Sequence, residues 1–179
     1  MIPSSPCATE DQCCISLYSI AAHLLAEVFD AVTECAPTAE GCPPLAAYVT
    51  LGNGDDGITD SLTVSAGSIT PSPNTVPGGL GLHRALFNIR LVESGWPTAR
   101  QEGQTLIFPP ADEQARAAQH VYSMGEAIHR RLSFLMSKRA LTPPEVRCSN
   151  ATVGQMNPIP PLGGTAGWTV PVTVDLPWN

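Results

Sequence analysis

Arg84-Ala85-Leu86-Phe87-Asn88-Ile89-Arg90-Leu91-Val92 decides the fold. Ala85, Phe87, Ile89 and Leu91 alternate with Arg84, Asn88 and Arg90. That period of two sends successive side chains to opposite faces of a sheet, so the stretch is predicted to be a strand on a core. Leu86 and Val92 fall on the mixed face, which is therefore expected to be covered in part.

Upstream, Ser68–Gly81 reads as a loop rich in proline and glycine, ending in Pro77-Gly78-Gly79-Leu80-Gly81. Two short strands are predicted before it, at Ala46–Leu51 and near Ser61–Ala66. The turn Gly52-Asn53-Gly54-Asp55-Asp56-Gly57 between them predicts a hairpin. Earlier still, Leu17, Ile20, Ala21, Leu24, Leu25, Val28 and Val32 recur at helical spacing, with His23, Glu27, Asp30 and Glu34 toward the other side. Thr9 and Gln12 form a capping box ahead of this helix of about five turns, and Pro37, Pro43 and Pro44 end it.

Downstream, Gly95–Pro109 is a second loop that carries Trp96. A long helix follows from Ala111 to about Arg139, its inner face formed by Ala117, Val121, Met124, Ile128, Leu132 and Leu135. Asp112 and Glu113 at its start and Lys138 and Arg139 at its end complement the helix dipole. A strand around Arg147–Val153, a loop over Pro158–Gly167 and a strand over Trp168–Leu176 close the chain. The expected fold is α+β: a small antiparallel sheet, two long helices packed on one face, and long Pro/Gly-rich loops. One domain is expected over residues 1–179, with extended tails at 1–8 and 177–179.

Charge is segregated along the chain. Residues 1–83 contain no lysine or arginine, and all nine basic residues lie between Arg84 and Arg147. A subunit that stacks head-to-tail or lines an acidic channel uses such polarity directly, whereas folding that interleaves the two parts would erase it. The net charge of −7 argues against a nucleic-acid binder. No segment has the length and apolarity of a membrane span, and the N-terminus lacks the positive region of a secretory signal, so cytosolic folding is expected.

Catalytic signatures are few. The chain has no G-x-S-x-G, no H-E-x-x-H and no phosphate loop with its lysine. His120 and His129 are off a shared helix face, and no carboxylate partner is identifiable for His23 or His83 in the sequence. Asn53, Asp55, Asp56 and Asp60 resemble part of a calcium loop, but the required glycine and distal glutamate are out of register. Cys7, Cys13, Cys14, Cys35, Cys42 and Cys148 match no common zinc spacing and are expected as buried thiols. No cofactor, metal or catalytic residue is assigned. Trp96, Trp168 and Trp178 sit in or beside loops, where aromatics often form interface contacts; for Trp168, packing on its own core edge is an equal alternative.

The element order, with Pro160-Pro161-Leu162-Gly163-Gly164-Thr165-Ala166-Gly167-Trp168 leading into Val170-Pro171-Val172-Thr173-Val174, resembles the tail terminator proteins of long-tailed bacteriophages. The resemblance covers nearly the whole chain and is one of pattern, length and a Gly-Gly-x-x-Gly turn. It implies a non-enzymatic virion protein of the tail and neck, assembled in the host cytoplasm. Such a protein forms a homo-hexameric ring on the finished tail tube, stops polymerisation and offers the surface that docks to the head-side connector. Genomic DNA would pass through an acidic lumen without specific binding, and no membrane would be involved. Asp55, Asp56 and Asp60 are the expected rim, and Arg84 and Arg90 the complementary partner face; Trp96, Trp168 and Trp178 join them as candidate inter-subunit contacts. The alternatives are a head-to-tail stopper or tail completion protein of the neck, a small cysteine- or zinc-dependent enzyme built on Cys13, Cys14 and His23, and a disulfide-stabilised secreted binding domain.

Overall fold

The alternating stretch is the middle of the longest-paired part of the sheet. In the computed structural model, which describes residues 17–35, 45–51, 59–71, 82–146, 148 and 150–177, strand β3 spans Leu82–Glu93. It pairs antiparallel with β2 (Ser61–Pro71) on one side and with β8 (Thr165–Pro177) on the other. The register stacks the core in rows: Phe87 lies between Ala66 and Val172, Ile89 between Val64 and Val170, and Leu91 between Leu62 and Trp168. Every second residue on these strands meets the helices, as the pleat requires.

Helix α1 (Leu17–Cys35) and helix α2 (Ala111–Ser137) cover that face. Ile20, Ala21, Leu24, Val28 and Val32 of α1 and Met124, Ile128, Leu132 and Leu135 of α2 are buried in one cluster with the strand residues. The expected helix faces are therefore the observed ones. The helices run antiparallel and are tied to each other. Arg131 Nε donates to Glu27 Oε2 at 2.9 Å, and His23 Nε2 donates to Ala140 O, also at 2.9 Å. Past its end α2 closes with Arg139 at φ 54 and a bond from Ala140 N to Leu135 O of 2.8 Å, the pattern of a left-handed helix stop. Lys138 and Arg139 thus lie just beyond the helix, near its negative pole, and Asp112 and Glu113 are in its first turn.

Four connections differ from expectation. The loop expected over Ser68–Gly81 begins as strand, because β2 continues to Pro71 past an irregularity between Ala66 and Ile69. Strand β1 (Ala46–Leu51) pairs with β2 in parallel, Ala46 against Ser61 and Leu51 against Ala66, so the two are not a hairpin and the sheet is mixed. The segment between Leu51 and Ser61 is longer than the tight two-residue loops that force antiparallel return. The loop expected over Pro158–Gly167 is instead β7 (Asn157–Leu162), a two-residue turn and the start of β8. Gly163 and Gly164 supply the turn with φ 59 and 84, which only a type I′-like geometry uses at both positions. Within Gly95–Pro109, a small separate hairpin forms from β4 (Arg100–Glu102) and β5 (Thr105–Ile107).

Strand β6 (Asn150–Val153) also pairs with β8, so the sheet order is β1-β2-β3-β8-β6, with β7 following β6 along the same side of β8. The capping box at Thr9, the prolines after α1, the turn with Asp55 and Asp56, the glycine-rich end of the loop before β3, Trp178 and the outermost tails lie outside the described residues.

Trp168 sets the distance between α2 and the sheet. Its indole lies against Gly125, where an added Cβ would stand 2.4 Å from Nε1, and Nε1 donates to Val121 O at 2.8 Å. Tyr122 closes the other side edge-on, 5.7 Å between ring centroids. In an ordinary exposed helix, glycine to alanine stabilises by about 1 kcal/mol. Here Gly125→Ala is expected to destabilise by about 1–3 kcal/mol, because the methyl displaces a packed ring. Chemical denaturation of the two proteins gives the sign directly.

Candidate interaction surfaces

The residues singled out in the sequence fall into three situations. Trp168 belongs to the core and is 9% exposed, which favours packing on its own core edge, the equal alternative in the sequence. Trp96 is half-buried, and its backbone N–H donates to Gly164 O at 2.9 Å, binding the loop after β3 to the β7–β8 turn. Arg84 and Asp175 face each other across β3 and β8 on the sheet face away from the helices. Arg84 Nε and Nη2 reach Asp175 Oδ1 and Oδ2 at 2.9 and 3.1 Å, a bidentate pair. That hydrogen-bonded carboxylate raises the guanidinium above its ordinary pKa, against the opposing effect of burial. The charge of Arg84 is thus answered within its own chain. Arg90 is half-buried on the same face, between Thr63 and Thr169 in register.

Asp60 serves the fold as well. It adopts φ 53 at the entry to β2, and its carbonyl accepts the N–H of Ala46 at 2.9 Å. Its carboxylate accepts the N–H of Ser94 at 2.8 Å and the hydroxyl of Ser94 at 2.6 Å. One residue therefore joins the starts of β1 and β2 to the end of β3. This is the αL and side-chain-to-backbone chemistry at which aspartate is competent.

Two histidines have partners that the sequence does not reveal. His23 meets Ala140 across the two helices, and His120 Nε2 lies 3.0 Å from Glu93 Oε2, linking α2 to the end of β3. Burial pushes the Glu93 carboxyl up, more than the neighbouring His120 draws it down, and Asp60 adds to the rise. Neither pair sits among further ligands: no group of three or more His, Cys, Asp or Glu side chains able to hold a metal occurs among the described residues. Among them, too, no helix is long and apolar enough to cross a membrane.

What the arrangement offers is surface. Tyr18, Ala22, Leu25, Ala26 and Phe29 of α1 and Ala47, Tyr48 and Val49 of β1 line an open groove of about 450 Å³. Its floor is the margin of the sheet. β1 (AAYVTL) has no charge and no proline, pairs on one side with β2, and leaves Leu51 89% exposed. The opposite margin is guarded, because β7 carries Pro158, Pro160 and Pro161 and β6 is only 4 residues long. Prolines and short strands blunt an edge, whereas a bare apolar edge is a template for another chain. A second recess, of about 340 Å³, lies between the β4–β5 hairpin and the start of α2, with Phe108 among its lining residues.

Asp60→Ala is expected to lower the unfolding free energy by about 1–3 kcal/mol, measured by denaturant titration, because two hydrogen bonds to a carboxylate are lost. The raised Glu93 means that the folded chain holds more protons than the unfolded one above pH 4.5, the ordinary carboxylate value. Its contribution to stability is complete below that value and is lost as pH rises through the folded pKa. Between pH 4.5 and 7 the wild type is expected to lose more stability, or gain less, than Glu93→Gln, as read from paired melting curves.

No protein-family model matches the chain, and no curated protein matches it.

Proposed function

We propose that this chain is a structural ring subunit of a bacteriophage virion, a tail terminator that caps the tail tube, stops its polymerisation and presents the head-docking surface. The observation that carries the reading is the uncharged strand β1, which among the described residues pairs with β2 alone, beside the apolar groove of α1. A protein working alone covers such a margin, and a subunit of an assembly leaves it for a neighbour. The resemblance of the terminal Gly-Gly-x-x-Gly segment and of the element order to tail terminators directs the choice of assembly.

The physics of such a ring agrees with the composition. A ring closes by heterologous contacts, in which one patch meets a different patch on the next subunit. Unlike patches of opposite charge fix the order of assembly and reject mispairing. A lumen with acidic residues lets DNA slide, because phosphates are repelled and no counterions are released. In this reading the partners are further copies of the chain in a hexamer, the tail tube protein and the head-side connector. The protein performs no catalysis and holds no cofactor.

The deciding experiment mixes the purified protein with tail tube protein and, separately, with the head-side connector, and images both. Rings at one end of tubes that then stop lengthening are expected. Binding to the connector with tube growth unaffected would assign the protein to the neck as a stopper, and binding to neither would end the virion reading.

A further inference from the structure

We infer that the groove between α1 and β1 is a self-association site that receives the C-terminal end of α2 from a second copy of this chain. The inference deepens the ring reading and rests on it only for closure of the ring; the contact itself follows from what the two surfaces carry.

The groove is apolar inside and acidic at its rim. Ala26 lines it; Asp30 lies four residues on and Glu34 four further, both exposed, so they continue one row of the helix surface. No lysine or arginine occurs in α1, β1 or β2 to offset them. Two-fold pairing of groove with groove would bring these acidic rows together, a like-charge juxtaposition that costs affinity. The occupant must therefore be apolar and basic.

This chain displays one such element. The end of α2 exposes Phe134 and Met136, at 50% and 43%, beside Lys138 and Arg139. The Lys138 ammonium lies 5.8 Å and the Arg131 guanidinium 5.6 Å from the centre of the Phe134 ring, so the aromatic sits within a cationic surface. Arg131 and Arg130 are engaged by Glu27 and Glu126, whereas Lys138 and Arg139 have no ion pair among the described residues. Phe134 and Met136 would fill the groove beside β1, with Lys138 and Arg139 against Asp30 and Glu34. Because groove and helix end are different patches, the contact is head-to-tail and propagates to a closed ring when the rotation permits.

Sedimentation of the purified wild-type chain over a concentration series tests this without any virion component. Concentration-dependent association that weakens as salt is raised is expected. Asp30→Lys with Glu34→Lys, and separately Lys138→Glu with Arg139→Glu, should each weaken association on the order of tenfold or more with the fold retained, the second pair melting somewhat lower because it loses charges that complement the α2 dipole. An equimolar mixture of the two variants should recover association, because each groove again meets the opposite charge. Ala47→Trp, which fills the groove from β1 and leaves both charged rows untouched, should also block it. A monomeric wild type at every concentration, or variants that associate like the wild type, would overturn the inference. So would two charge variants that stay apart when mixed. Association with rescue but no capping of tubes would overturn only the terminator reading; capping that ignores these substitutions would overturn only the contact proposed here.

Discussion

The seat of Trp168 on Gly125 governs how the two layers meet. A tryptophan facing a helix normally holds the helix away by the thickness of its ring, and its indole N–H must find an acceptor in an apolar core. Gly125 removes the side chain that would collide with the ring, and Val121 O, one turn earlier on the same helix, accepts the N–H. The helix therefore lies close enough for Met124, Ile128 and Leu132 to join the row of Val170, Val172 and Val174 on β8. The antiparallel tie from Glu27 to Arg131 then places α1 beside α2, and α1 covers β2 and β3 in turn. Replacing the glycine would disturb the spacing on which both helices depend.

Much of this was legible in the sequence, and the legible parts share a cause. Burial on one face writes a period into a single element, and Phe87-Ile89-Leu91 and Leu24-Val28-Val32 each show theirs without reference to any other residue. Gly163-Gly164 was equally legible as a two-residue turn, and reading it only as part of a loop hid β7. What the sequence could not display were pairings between distant elements. The parallel direction of β1 depends on the path of a connection, and the pairs Glu93–His120, His23–Ala140 and Arg84–Asp175 join residues from separate parts of the chain. No local spacing encodes such a pair.

The candidate contacts were legible least of all, for a related reason. Arg84 opens the basic part of the chain and Asp60 belongs to the acidic cluster before β2, yet folding supplies Arg84 with Asp175 and Asp60 with Ser94. Strand β1 showed the reverse: an ordinary-looking uncharged run became conspicuous only once its position at the margin of the described sheet was known. The polarity of the chain keeps a meaning in three dimensions, because the base-free elements α1, β1 and β2 are neighbours while Arg116, Arg130, Arg131, Lys138 and Arg139 lie on or just past α2.

The three prolines of β7 have an effect on the whole sheet that goes beyond their own strand. A sheet with two bare margins is bivalent toward strand addition and can extend without limit into a fibre. A sheet sealed at one margin is monovalent. Two such sheets that meet at β1 exhaust their capacity at once, so uncontrolled growth ends at a pair. An uncharged apolar edge on a sheet sealed at its other margin therefore does not by itself template a fibre.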